Sequence, residues 1–128
     1  MINKFRIKTK DEGFYNITSF VRQSVLESGV KEGIAVIFTP HNDAGILISD
    51  LDENILNSEE LALINCAVLK GWGNDSMGEA HIKSMLAGVS KTVIVSESEP
   101  VLGKNQGVVF GEFNPGEERT FYVKVVKG

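Results

Sequence analysis

One stretch constrains this chain more than any other: the run Gly33-Ile-Ala-Val-Ile-Phe-Thr39, which carries no charge and is dominated by β-branched side chains. It is too short for a typical helix, and an apolar run without alternation reads as a strand covered on both faces, interior to a sheet. Pro40-His41-Asn42-Asp43 breaks it, and Ala44 to Ser49 resumes strand character, so the break is a connection between two strands.

The rest of the chain supplies the sheet partners and the layers. Phe5, Ile7 and Thr9 alternate with Arg6, Lys8 and Lys10, the period-2 pattern of a strand with one solvated face. Asp11-Glu12-Gly13 turns the chain and Phe14 to Ile17 extends again. Thr18 stands where an N-cap belongs, Phe20, Val21, Val25 and Leu26 follow at helical spacing, and Ser28-Gly29 supplies a stop, which predicts a helix over 18–28. Asp50 to Asn57 reads as a polar loop. Ser58, Glu59, Glu60, Leu61, Leu63, Ile64 and Val68 read as a second helix with acids at its positive end. The glycine-rich stretch 71–76 leads into a third helix, whose apolar face is Ala80, Ile82, Met85 and Leu86 and whose stop is Gly88. Strands at Thr92 to Val95, Val108 to Phe110 and Thr120 to Val126 complete the pattern, separated by Pro100, Gly103 and Asn114-Pro115-Gly116. Strands early and late with helices between them predict one α+β domain over 1–128, its strands mostly antiparallel in a sandwich-like core with two to three helices against it.

Composition narrows the class of function. The chain has 128 residues, 42% of them hydrophobic and 23% charged, which suits a folded domain and not a disordered one. Thirteen Lys and Arg against seventeen Asp and Glu leave a net charge of −4, so neither a nucleic-acid backbone nor an anionic membrane is the expected partner. A single cysteine, Cys66, has no internal disulfide partner, and Met1-Ile2-Asn3-Lys4 does not open like a signal peptide; the expected compartment is the reducing cytoplasm.

Two histidines stand out because both fall at element ends, where functional side chains concentrate. His41 lies at the break after the apolar run, beside Asn42 and Asp43, and His81 lies early in the third helix. Imidazole changes charge near neutral pH and ligates metals, yet each histidine could equally satisfy a loop or a helix end, and their forty-residue separation matches no local zinc signature. Asp43, Asp50 and Asp52 flank the second strand as candidate bases, metal ligands or acceptors for a cationic ligand, with Asp52 reading as a loop-solvating acid. Cys66 falls on an apolar helix face without a basic neighbour and reads as an inert buried thiol. Gly71-x-Gly73 is too short for a phosphate loop, and Trp72 fits either core or interface.

Several motifs, in order along nearly the whole chain, resemble those of the YjbQ family, also called the secondary thiamine-phosphate synthase family. Asn16-Ile17-Thr18 and Ser28-Gly29-Val30 match its opening, and His41-Asn42-Asp43-Ala44 stands where the family has His-Thr-Thr-Ala. Ala80-His81-Ile82-Lys83 with Leu86-Ala87-Gly88 matches its helix motif, Leu102-Gly103-Lys104-Asn105-Gln106 its Leu-Gly-x-Trp-Gln, and Glu112-Phe113 the start of its Glu-Phe-Asp-Gly-Pro-Arg. The resemblance implies a cytoplasmic homotrimer and a transferase reaction that joins hydroxymethylpyrimidine pyrophosphate to a thiazole phosphate. It implies His41, His81 and Asp50 as catalytic groups, Asn42, Asp43, Gln106 and Glu112 as ligand-binding groups, and His41 with His81 as candidate ligands for a divalent metal. The departures fall on polar positions: two threonines are replaced by Asn42 and Asp43, the family's Asn-Glu is Ser49-Asp50, its tryptophan is Asn105, and a further family histidine is missing. Threonine hydroxyls donate to phosphate oxygens where an ionised Asp43 only accepts, so turnover is expected to be weak or absent. The alternative is a non-catalytic trimer that binds a small phosphorylated or anionic metabolite, or a metal.

Overall fold

A computed structural model describes residues 2–59, 62, 76–116 and 118–128. In chain order its elements are β1 (Ile2–Lys8), β2 (Gly13–Asn16), α1 (Thr18–Ser28), β3 (Gly33–Phe38), β4 (Ala44–Asp50), α2 (53–59), α3 (Ser76–Ala87), β5 (Ser90–Ser96), β6 (Glu99–Pro100), β7 (Gln106–Glu112) and β8 (Glu118–Lys127). They build two antiparallel sheets, one of five strands in the order β1-β8-β3-β5-β6 and one of three in the order β2-β7-β4. The predicted α+β domain is therefore the observed one. Its core lies between the sheets: Ala35, Ile37, Val93, Val95, Phe121, Val123 and Val125 of the larger meet Ala44, Ile46, Val108 and Phe110 of the smaller, with Ile17, Val21 and Val25 from the α1 region. The Phe110 and Phe121 rings, 6.1 Å apart, join the two sheets directly.

The apolar run forms β3, the middle strand of the larger sheet, but only one of its faces is covered. Gly33, Ala35 and Ile37 point inward and are buried, while Ile34 and Phe38 are each 40% exposed. The absence of alternation in the sequence does not mark two buried faces here. It marks an inner face packed on the smaller sheet and an outer face that is also apolar.

Three helix boundaries or faces differ from expectation. Thr18 is the first helical residue of α1 and not its cap; its backbone N–H donates to Asn16 Oδ1 at 3.0 Å, and its hydroxyl accepts the Val108 N–H at 3.0 Å. Leu26 is exposed, and the buried stripe of α1 runs through Thr18, Val21, Ser24 and Val25 to a left-handed Gly29. The stretch from Asp50 to Asn57, read as a loop, is already helical from 53, because Asp52 is a capping residue: its Oδ1 takes the Asn54 N–H at 2.9 Å and its carbonyl the Leu56 N–H at 3.0 Å. The remainder of the second predicted helix, with Cys66, the glycine-rich stretch 71–75 and Trp72, lies outside the described residues.

The third helix is where predicted but presents a different face. Ala80, Lys83 and Ser84 are buried, and Met85 and Leu86 are exposed. The buried set follows i, i+3, i+4 spacing, so the face is helical; what periodicity misread is the polarity of its members. Ser84 and Lys83 are buried because each has a partner: Ser84 Oγ donates to the Ala44 carbonyl at 2.6 Å, and Lys83 Nζ pairs with Glu12 Oε1 at 3.2 Å. The outer edge of β4 is closed by this helix end in place of another strand. The Ile46 N–H donates to the Gly88 carbonyl at 2.9 Å, and Lys91 Nζ donates to the Ile46 carbonyl at 2.8 Å. Only glycine fits at 45, since a Cβ there would stand 2.9 Å from both the Ala87 Cβ and the Gly88 oxygen. The close approach of α3 to β4 fixes the position of the residues described next.

Candidate functional site

The connection between β3 and β4 is held to β8 by side chains that extend the sheet's hydrogen bonding. The β3–β8 pairing ends at Phe38 opposite Tyr122, and Pro40 has no N–H with which to continue it. Thr39 Oγ1 donates to the Thr120 carbonyl at 2.8 Å, and the Thr120 N–H donates to His41 Nε2 at 3.1 Å. A ring nitrogen that accepts is unprotonated, so the neutral imidazole carries its hydrogen on Nδ1. His41 is thus engaged in seating the turn.

Asp43, two residues on, reaches a buried charge cluster centred on Arg119. The guanidinium donates through Nε to both Glu112 oxygens at 2.8 and 3.0 Å, through one terminal nitrogen to Asp43 Oδ1 at 2.8 Å, and through the other to the Asn114 carbonyl at 2.8 Å. Thr9 Oγ1 adds a bond to Glu112 Oε1 at 2.8 Å, and Asn114 Nδ2 one to Asp43 Oδ2 at 3.1 Å. Arg119 and Glu112 are fully enclosed. Burial pushes the Asp43 carboxyl up, but hydrogen bonds from Arg119 and Asn114 together with the Arg119 charge outweigh it and hold the group below its ordinary value. Burial opposes the charge on Arg119 as well, and its bonds to Glu112 and Asp43 more than offset this, so the guanidinium is held ionised. The arrangement clamps the β3–β4 turn to β7 and β8. Arg119 was absent from the sequence-based site, although one signal marks it: it occupies the inward parity of β8, in step with Phe121, Val123 and Val125.

Beside the clamp, a cleft of about 500 Å³ opens between the β3–β4 turn and α3, lined by Asn42, His81, Ser84, Met85, Gly88 and Val89. The Ser84 hydroxyl is already committed to the Ala44 carbonyl. Asn42 and the exposed His81 are the cleft's adaptable polar side chains. Asn42 and His81 therefore come together on one cleft, with His41 at its margin on Thr120, and with Asp43 and Glu112 turned to Arg119.

Asp50 and Gln106 do not join them. They face each other at the far end of the β4–β7 pair, whereas Ala44 faces Glu112 at the near end, six residues or roughly 20 Å of strand away. There the Asp50 carboxylate accepts the Asp52 N–H at 2.8 Å and Gln106 Oε1 accepts the Gly103 N–H at 2.8 Å. Among the described residues no three His, Cys, Asp or Glu side chains converge, and the Nε2 of His41 accepts the Thr120 N–H, so the described donors do not by themselves make up the divalent-ion site that the resemblance implied.

Two antiparallel sheets packed face to face, with a helix closing the edge of the smaller one over a turn-lined cleft, define a small α+β architecture of one particular kind. Residues 3–128 match the family model described as UPF0047 protein YjbQ-like, and the chain belongs to that family. It is 38% identical over 130 residues to a UPF0047 protein of Methanocaldococcus jannaschii, covering 98% of this chain and 94% of the relative. It is 31% identical to the UPF0047 protein YugU of Bacillus subtilis, covering 98% and 99%. A crystal structure from Clostridium acetobutylicum superposes with a TM-score of 0.87 at 32% identity, covering 98% of this chain and 99% of the other. A Sulfolobus solfataricus protein described as YbjQ-like and of unknown function superposes at 0.89 with 22% identity, covering 100% and 97%, which extends the shared fold. No described helix is long and apolar enough to cross a membrane.

Proposed function

We propose that the protein is a homotrimeric, cytoplasmic binder of a small phosphorylated or anionic metabolite, with thiamine-phosphate synthase turnover weak or absent. The observation that carries this reading is the division of polar groups around the cleft. Asn42 and His81 border it and can donate hydrogen bonds, while the two carboxylates that would otherwise repel an anion, Asp43 and Glu112, are engaged by Arg119. A synthase must also move a proton and neutralise a leaving pyrophosphate, and Asp43 offers only acceptors where the resembled motif's threonine would donate. Calorimetric titration with pyrophosphate tests the binding. His81→Ala and Asn42→Ala should each weaken it about tenfold, the value of one good hydrogen bond to a charged group, with the melting temperature nearly unchanged because neither side chain is a core group. Turnover of pyrimidine pyrophosphate and thiazole phosphate at the rate of a dedicated enzyme would overturn the reading.

The outer face of the five-stranded sheet supports the trimer. Ile34 stands in register with Ile94 on one side and Val126 on the other, and these three leave an apolar strip across β5, β3 and β8. Contiguous apolar patches of this kind mark association surfaces. Light scattering at micromolar concentration should return three chains, and Ile94→Lys, which places a charge on the 64%-exposed position at the middle of β5, should return one. A monomeric unmodified protein would refute the assembly and leave the cleft reading to its own titration.

A further inference from the structure

Lys91 is the second residue of β5, just beyond the C-terminal end of α3, and its ammonium turns back under that end. It donates to the Ala87 carbonyl at 2.7 Å and to the Ile46 carbonyl at 2.8 Å. Both bonds are to neutral acceptors. Among the described residues the ion pairs are those of Arg6, Lys83 and Arg119, and none involves Lys91. Carbonyls at a helix C-terminus satisfy two of the three N–H groups and lend partial negative charge, but they do not supply a counter-ion. Desolvation accordingly pushes the amine below its ordinary value.

The position of this charge relates it to the cleft. Gly88 and Val89 form part of the cleft wall, and a Cβ at Gly88 would come within 3.0 Å of Lys91 Nζ. The ammonium thus lies against a wall residue that has no side chain, in a left-handed conformation with φ of +86° that other residues rarely adopt. Asn42 stands on the opposite wall, and His81 lies further up α3 on the same side as Gly88.

We propose that Lys91 is an anion-recognition residue of the cleft, its ammonium held against Gly88 by two backbone carbonyls so that its charge serves the phosphate or carboxylate end of a ligand whose other contacts are Asn42 and His81. The inference rests on the anion-binding reading and adds to it a fixed source of positive charge, which the Asn42 amide does not provide. Holding the ammonium by backbone acceptors fixes its place without cancelling its charge, as a carboxylate partner would. A bound anion becomes the counter-ion, and its attraction is strengthened by the partial burial of the amine.

Pyrophosphate titration of the unmodified protein and three variants tests this. Lys91→Gln should weaken binding about tenfold and flatten its dependence on salt, Lys91→Arg should retain most of the affinity, and His81→Ala reports on the cleft independently. Lys91→Gln also loses a carbonyl contact, so a second measurement uses the unmodified chain. The ε-methylene NMR signals of Lys91, assigned by their absence from Lys91→Arg, should shift as pyrophosphate is added, and the amine should titrate at higher pH when the anion is bound. Pyrophosphate binding that His81→Ala weakens while Lys91→Gln and the Lys91 signals stay unchanged overturns the role of Lys91 alone. No binding by the unmodified protein overturns both this inference and the reading beneath it.

Discussion

Arg119→Met should remove about 3–5 kcal/mol of stability, the usual result of deleting one partner of a buried ion cluster. Urea denaturation would show it as a lower midpoint at similar slope. Methionine fills much of the volume, so the loss is electrostatic. Glu112 would keep a single hydroxyl partner in Thr9 inside a site with no exposed surface, and Asp43 would keep one amide. Glu112 then has two ways to respond, taking up a proton or drawing in water, and both loosen the contact of β7 with β8. Arg119→Lys should recover only part of the loss, because one ammonium cannot serve Glu112, Asp43 and the Asn114 carbonyl at their separate angles. The double variant Arg119→Met with Glu112→Gln should be less damaged than Arg119→Met alone, since it removes one of the orphaned charges together with its partner. A single variant within about 1 kcal/mol of the unmodified protein would mean that water already shares the cluster.

The elements of this fold were readable in the sequence because they rest on local pattern. Alternation at Phe5 to Lys10, the turn residues at 40–43 and the β-branched runs place strands where strands occur. Failures of reading concern partners distant in sequence. Lys83 and Ser84 look like surface residues until β4 and the β1–β2 turn are brought against α3, and Leu26 and Met85 look like core residues for the same reason. The site was readable only in part. His81 and Asn42 border one cleft, but Asp50 and Gln106 belong to the other end of the smaller sheet, a consequence of strand direction that no motif spacing reveals. Arg119 lies 76 residues from Asp43, and its importance depends on that contact. Element ends mark where chemistry can stand, and only the register of the strands decides which ends meet.

Asp43→Asn should make the fold less sensitive to acid while weakening it at neutral pH. The folded-state carboxyl titrates below its ordinary value. Its contribution is therefore fully present above the unfolded value, about 3.9 for an aspartate, and is lost as the pH falls from there through the lower folded value. Denaturation midpoints of the unmodified protein should drop below about pH 4, and asparagine should flatten that part of the profile, with a neutral-pH loss on the order of 1.5–3 kcal/mol for a hydrogen bond to a charged group. Threonine at 43, the residue of the family motif, should be at least as costly, because a hydroxyl brings Arg119 no charge. The same geometry indicates a rescue. Asn114 Nδ2 lies 3.1 Å from Asp43 Oδ2, and Arg119 donates to the Asp43 carboxylate and to the Asn114 backbone carbonyl, so the Asn114 side chain stands beside the carboxylate that the guanidinium holds. In the motifs that this chain resembles, threonine stands at the place of Asp43 and aspartate at the place of Asn114, so the resemblance implies the carboxylate on the other member of the pair. Asp43→Thr together with Asn114→Asp should then restore much of the stability and acid sensitivity lost in Asp43→Thr. A double variant no better than the single one would show that Arg119 requires its counter-ion on the β3–β4 turn itself. In that case Asp43 could not be exchanged for threonine without releasing the turn that carries Asn42 into the cleft.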